Sequence, residues 1–314
     1  MNIFVTGGAG FIGSHIIDRL LNDGHTVVCI DDLSSGSLEN INDHFPNSNF
    51  TFIELDILDI GHLRSIFSTN KCDCVFHLAA NSDIQKGISD PYRDYELTFR
   101  ATFNVLLCMH EFQVGEIVFS SSSTIYGEID SQLHEDTGPL LPISFYGSAK
   151  LSSEAYISSF SHKCNFKAWI FRFPNVVGRR LTHGVIFDFL RKLEDNQQQL
   201  FILGNGQQEK SYLYIDELVE GIMFGWEHSK DRINYFNIGG TDSITVQKIA
   251  EIIIEILDHA NVNITYSGGK RGWIGDVPKY QYNLSKIHAL GWHSKMDSEE
   301  AVRIAIQEMV GSPK

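Results

Sequence analysis

The sequence predicts an α/β protein: a doubly wound parallel sheet with helices on both faces, and a smaller α/β lobe attached to it. Strand-like runs that are apolar almost throughout alternate with helix-like stretches in the first half, the pattern of strands covered on both faces. The first run ends in a triplet of spaced glycines, and beyond roughly residue 174 the alternation gives way to Gly- and Gln-rich segments. With 314 residues the chain can bury a substantial core.

In chain order the strands are read at Asn2 to Thr6, Thr26 to Ile30, Phe50 to Glu54, Cys74 to His77, Glu116 to Ser120 and Lys167 to Phe171. Helices are read between them at Phe11 to Asn22, Gly61 to Thr69, Tyr92 to Phe112 and Tyr146 to His162. A helix from Val185 to Leu193 follows the loop that holds Gly178 and Gly184. Next come the segment Leu200 to Ile215, a helix from Asp216 to Glu227, a strand from Tyr235 to Ile238 and a helix from Val246 to Leu257. The last helix, Ser298 to Met309, has Asp297 or Ser298 to cap it ahead of Glu299 and Glu300. Residues 1–174, with 212–239 returning to them, are expected to form one domain, and 175–211 with 240–314 the smaller lobe.

Composition narrows the function. The 39 Asp and Glu outweigh 25 Lys and Arg, a formal charge of -14, which disfavours nucleic-acid and anionic membrane partners. No apolar run is long enough for a membrane span, no basic leader opens the chain, and a cytoplasmic protein is expected. The five cysteines are odd in number and mostly embedded in apolar runs, as buried thiols in a reducing compartment are. Cys72-Asp73-Cys74 lacks a second cluster, so no metal site is expected. The sequons at Asn49, Asn263 and Asn283 are read as chance.

Gly7-Gly8-Ala9-Gly10-Phe11-Ile12-Gly13 follows the first strand and opens the first helix. Such glycines allow a tight turn, let bare backbone approach a pyrophosphate, and let helix pack closely on strand. The second strand ends in Asp31-Asp32, where a carboxylate can accept from ribose hydroxyls. That charge repels a 2′-phosphate, and Leu33-Ser34-Ser35-Gly36 offers no cation to bind one, so NAD is expected rather than NADP. Asp56-Ile57 and Leu78-Ala79-Ala80 fall at later strand ends, where a doubly wound sheet places its ligand.

The chemistry-bearing residues come later. Ser120-Ser121-Ser122-Ser123-Thr124 ends the fifth strand, and Tyr146-Gly147-Ser148-Ala149-Lys150 opens a helix. Tyr146 and Lys150 share a helix face, so the ammonium can favour phenolate, and the phenolate can take a proton from a sugar hydroxyl as hydride leaves the same carbon.

On these residues, together with Arg172 to Gly178, Leu203 to Asp216, Phe236 to Gly240 and Leu290-Gly291-Trp292, the chain resembles the extended short-chain dehydrogenase/reductases that act on sugar nucleotides. It is most similar to the UDP-glucose (UDP-galactose) 4-epimerase-like members. The resemblance implies a Rossmann fold whose smaller lobe binds a nucleotide-diphosphate sugar. It implies that Ser122 holds the reacting hydroxyl, Tyr146 is general base and acid, and Lys150 binds nicotinamide ribose. Cofactor contacts are implied at Gly7, Gly10, Phe11, Ile12, Gly13, Asp31, Asp32, Ser35, Gly36, Asp56, Ile57, Leu78, Ala79, Ala80, Ser120, Tyr146, Lys150 and Pro174. Thr98 is a further cofactor contact, where the family usually has Asn. Substrate contacts are implied at Ser122, Tyr146, Asn175, Gly184, Val185, Lys210, Arg271, Asp276 and Tyr280. Lys210 stands where Arg is common, the spacing from Arg271 to Asp276 exceeds the usual one, and a bulky Tyr280 would disfavour N-acetylated sugars.

The implied reaction is transient oxidation at C4 of a UDP-hexose such as UDP-glucose or UDP-galactose, with return of the hydride to the other face. A 4-dehydrogenase or dehydratase releasing a keto sugar is the alternative, and a non-catalytic NAD-sensing protein a remote one. Dehydratases carry an acidic pair after the catalytic hydroxyl residue, whereas Ser123-Thr124 stands here. Apolar residues spread around the helices at Tyr92 to Phe112 and Tyr146 to His162, which pair between subunits in the family, so a homodimer is expected.

Overall fold

The computed structural model describes residues 1–129, 131–259, 261–273 and 275–311. Its core is a parallel sheet of seven strands. In chain order the first half runs β1 (Asn2–Thr6), α1 (Phe11–Asn22), β2 (Thr26–Asp31), β3 (Phe50–Glu54), α2 (Ile60–Thr69), β4 (Cys74–His77), α3 (Ile84–Ser89), α4 (Pro91–Asp94), α5 (Ala101–Glu111), β5 (Glu116–Ser122), α6 (Phe145–Cys164) and β6 (Lys167–Phe173). The second half runs β7 (Asn175–Val177), α7 (Val185–Asp195), β8 (Gln199–Ile202), β9 (Glu209–Lys210), β10 (Tyr212–Tyr214), α8 (Ile215–His228), β11 (Ile233–Asn237), β12 (Ile244–Thr245), α9 (Val246–Ile256), β13 (Asn263–Tyr266), α10 (Ser285–Leu290) and α11 (Ser298–Gly311).

The spatial order β11-β6-β5-β4-β1-β2-β3 places the reversal of winding between β1 and β4, where a doubly wound sheet opens a crevice at its carboxyl edge. Alternate residues of each strand face opposite layers. Ile3 and Val5 of β1 pack with Ile16, Ile17 and Leu20 of α1, while Phe4 packs with Leu63, Val75, Leu106 and Met109 on the other face. Trp226 of α8 meets Phe76 of β4 edge to face, with ring centroids 5.2 Å apart, so α8 lies on the sheet beside α1. β11 then joins the sheet next to β6, so residues after the first half add both a helix and an edge strand to it. The remaining strands form three two-stranded ribbons, β7 with β10, β9 with β12 and β8 with β13. α7, α9 and α11 pack around these ribbons.

Two helix ends follow local chemistry closely. Ser144 caps α6 by accepting from Gly147 N–H at 3.0 Å. Asp297 and Glu300 close a reciprocal box at the start of α11, Glu300 N–H to Asp297 at 2.8 Å and Asp297 N–H to Glu300 at 3.2 Å.

One expected helix is broken into unlike pieces. The helix read over Tyr92 to Phe112 is three pieces: α4 begins with Pro91 after the Asp90 cap, Tyr95–Arg100 is a π-helical stretch, and only Ala101–Glu111 is a regular α-helix. A π stretch keeps an apolar helical pattern while shifting its phase, so periodicity alone reads it as continuous helix.

Candidate active site

A cavity of about 650 Å³ runs along the carboxyl edge of the sheet and between it and the smaller lobe. Every residue expected to touch cofactor or substrate lines it, with two exceptions. Thr98 is fully buried behind the wall, where its Oγ1 accepts from Asn81 N–H at 3.1 Å. Arg271 points away and pairs with Glu128 at 2.6 Å, with both side chains exposed.

The floor of the cavity is the β1–α1 turn. Gly7 adopts φ +68°, and a Cβ there would lie 2.7 Å from Ala79 N. A Cβ on Gly13 would lie 2.1 Å from Gly7 O, so only glycine lets α1 seat against the turn. Gly10 precedes α1 with no side-chain cap, which leaves the first N–H groups facing the cavity. A helix N-terminus bare in this way suits a pyrophosphate.

Asp31 ends β2 almost fully buried, accepting from Ala9 N–H at 3.0 Å and Leu33 N–H at 2.8 Å. Burial pushes its carboxyl up against the pull of those two bonds. Asp32 is exposed and holds Ser34. No cation stands in Leu33–Gly36, so the ribose end of the crevice fits a free 2′-hydroxyl.

Ser122, Tyr146 and Lys150 converge on the middle of the cavity. Ser122 Oγ accepts from Thr124 N–H and Oγ1 at 3.2 and 3.1 Å, and it also hydrogen-bonds the Tyr146 hydroxyl. Lys150, 2% exposed, donates to Ser120 O at 2.6 Å, and its Nζ lies 5.9 Å from the Tyr146 ring centroid. Burial pulls its ammonium down to about 7, while Glu154, one turn along α6, pulls it upward. Burial, and then the charge of Asp94, push the Tyr146 phenol up, with only the Ser122 bond opposing them. The Lys150 ammonium is thus directed at the Ser120 carbonyl, and the lowering of the phenol expected from a lysine on the same helix face is not produced by this arrangement, because burial outweighs it.

Beneath these groups lies a buried polar network that the sequence reading did not single out. Arg172 of β6 donates from Nε and Nη2 to the Glu154 carboxylate at 3.0 and 2.7 Å. Ser121 Oγ donates to the same carboxylate, and Arg172 Nη1 reaches Tyr126 Oη and Glu135 O, both at 3.0 Å. Asn237 of β11 accepts from Tyr126 Oη at 2.7 Å. A second missed group stands at the opposite wall: Asn81 donates to Asp94 Oδ1 at 2.7 Å and accepts from Arg93 Nε at 3.2 Å. The available signal was Asn81 directly after Leu78-Ala79-Ala80, at a strand end.

On the smaller lobe, Lys210 pairs with buried Asp276 at 2.5 Å and stands 4.7 Å over the Trp273 ring. Tyr280 lines the wall and hydrogen-bonds Ser123, and burial pushes its phenol up to about 12. That contact gives Ser123 a place: it fixes the ring that bounds the cavity next to Ser122.

Residues 3–239 match the profile of the NAD dependent epimerase/dehydratase family. The chain belongs to that family. It is similar over 99% of its length, and 99% of the other chain, to the crystal structure of a Thermotoga maritima UDP-glucose 4-epimerase with UDP-glucose, at 31% identity and a TM-score of 0.88. A UDP-glucose 4-epimerase of Mycolicibacterium smegmatis is 31% identical over 71% of this chain and 72% of its own. Human dTDP-D-glucose 4,6-dehydratase is 27% identical over 97% of this chain and 89% of its own. The fold, the family and dependence on NAD follow from these matches, and both epimerases and dehydratases lie among the relatives.

The buried lysine makes a prediction. Because the folded state holds the Lys150 ammonium at about 7, far below an unfolded lysine, its burial weakens folding most at low pH, and this penalty fades as pH rises toward the ordinary lysine range. Thermal melts of nucleotide-stripped protein should show Lys150→Met more stable than wild type at about pH 6, with the difference shrinking toward about pH 10. A difference that is constant or grows with pH would contradict a charged, desolvated Lys150.

Proposed function

We propose that this member of the NAD dependent epimerase/dehydratase family is a nucleotide-sugar 4-epimerase acting on a UDP-hexose such as UDP-glucose or UDP-galactose. The observation that carries the reading is the convergence of Ser122, Tyr146 and Lys150 in one cavity, with Ser123 and Thr124 rather than acids beside them. An elimination across C5 and C6 needs a carboxylate there to protonate the departing hydroxyl. Ser123 instead serves Tyr280, and Thr124 serves Ser122.

Bound NAD would supply the acceptor for a hydride from the sugar and the donor for its return. The glycine turn and the α1 N-terminus hold its pyrophosphate, with Asp31 and Asp32 at the ribose end and Lys150 at the nicotinamide ribose. Ser122 Oγ holds the 4-hydroxyl, and Tyr146, as the phenolate that the positive charge of an oxidised nicotinamide would favour, takes its proton and later gives it back. Asn175 and Lys210 hold the substrate diphosphate, with Gly184 and Val185 along its path, Asp276 fixing the Lys210 head group, and Tyr280 limiting the sugar. Lys210 acts as a point charge, since it lacks the fork of an arginine.

The test is a nucleotide-sugar screen followed by NMR. A 4-epimer is expected, against a free ketose for a dehydrogenase or an alkene-derived product for a dehydratase. Tyr146→Phe should lower turnover by roughly 10²- to 10⁴-fold while NAD stays bound. Full activity in this variant would remove Tyr146 from the role of base.

The reading includes a homodimer and a cytoplasmic setting, which the five free thiols suit. Tyr95, Phe99, Tyr156, Phe103 and Phe160 form a continuous ring ladder on the α5 and α6 side. Tyr95 and Tyr156 are 49% and 43% exposed, an apolar face suited to a second copy. Light scattering should give twice the 35.4 kDa chain mass, and Tyr156→Glu should shift it toward one; a monomeric wild type would reject the dimer.

A further inference from the structure

The cations on the cavity wall are Arg93, Lys150, Lys192 and Lys210. Three of the four are engaged. Lys150 is bonded to Ser120 O, Lys192 donates to Phe201 O at 3.0 Å, and Lys210 is paired with Asp276. Arg93 differs. Only its Nε is used, on Asn81 Oδ1 at 3.2 Å, and among the described residues it forms no ion pair, so the Nη1–Nη2 edge is unclaimed.

Its place in the cavity is set by the same bonds. Asn81, held by Arg93, donates to Asp94, and α3 and α4 pack against α6, which carries Tyr146. Arg93 lines the same cavity as Ser122 and Tyr146, so its guanidinium belongs to the wall of the chamber that holds the reacting groups. Lys210 and Asn175, proposed above to hold the diphosphate, lie on β9 and β7, in the two-stranded ribbons.

An unclaimed guanidinium edge on the wall of the cavity that holds Ser122 and Tyr146 has a definite chemical complement. Two parallel N–H donors match the two oxygens of a carboxylate, and a planar fork held at Nε by an amide is already oriented for it. A neutral hexose offers only a hydroxymethyl group at C6 and leaves the fork partly desolvated without a partner. We infer that Arg93 recognises a C6 carboxylate, so that the preferred substrate of this site is a nucleotide-linked hexuronic acid. This rests on the nucleotide-sugar reading above and goes beyond it in naming the sugar class.

The experiment compares UDP-glucuronic acid with UDP-glucose on the NAD-bound protein, measuring kcat/KM and calorimetric binding for wild type, Arg93→Gln and Arg93→Lys, with the NAD content of each. The expected result is a wild-type preference for the uronic acid. Arg93→Gln should reduce that preference about ten- to a hundredfold, with NAD content near wild type, and Arg93→Lys should restore part of it. An unchanged preference in Arg93→Gln, or loss of NAD from it, would overturn the inference, the second because Arg93 would then be a cofactor contact. If wild type epimerises UDP-glucose and binds the uronic acid no more tightly, the inference falls and the 4-epimerase reading stands. If neither sugar is turned over but the uronic acid binds more tightly in an Arg93-dependent way, the inference stands and the epimerase reading falls.

Discussion

One buried contact organises the carboxyl edge of this sheet: the Lys150 ammonium on the Ser120 carbonyl. It ties α6 to β5 at the point where β5 ends in Ser122, and so fixes how the phenol on one element meets the hydroxyl on the other. An ammonium this deeply buried is unfavourable alone. Glu154, on the same helix, offsets part of that cost and is itself held by two bonds from Arg172 of β6. Removing Arg172 would leave a buried carboxylate short of its partner, so the pair binds α6, β5 and β6 into one unit. Through Tyr126 and Asn237 the same network reaches β11, the last strand to join the sheet.

The overall charge and the local charges act differently. At -14 the chain repels polyanions at a distance. Within the cavity the potential is set by a bare helix N-terminus and a few held cations. The carboxylates there have specific work: Asp31 organises the β2 turn through two backbone bonds, and Asp276 holds Lys210. A protein acidic overall can thus present a cavity suited to dinucleotides and sugar nucleotides.

How much of this was legible in the sequence depended on the kind of signal. β1, β3 and β4 were read to the residue, because β3 and β4 are largely apolar runs entered from the polar Asn49 and Asp73, and β1 ends at the Gly7 turn. α6 differed by one residue at its start and two at its end, where Ser144 and Asn165 set the caps. α3 was missed, since six residues containing Gly87 carry no apolar period, and the ribbons of the smaller lobe were read only as a segment because strands of two to four residues show little alternation. In the site, motif-borne residues were legible. Asn81, Arg93, Asp94 and Glu154 were not, since their roles arise from contacts across elements that no spacing encodes. Arg271 shows the converse: a position suggested by resemblance, in a loop of altered spacing, whose guanidinium turns to Glu128.

The central claim is that this cavity removes a hydride from C4 and returns it to the same carbon. The most direct measurement uses a turned-over nucleotide sugar deuterated at C4, followed by NMR of the product in ordinary water. The account predicts deuterium retained at C4 of the epimer, with no free ketose and no accumulation of reduced cofactor. Loss of the label to solvent, or its transfer to another carbon or to released cofactor, would contradict it.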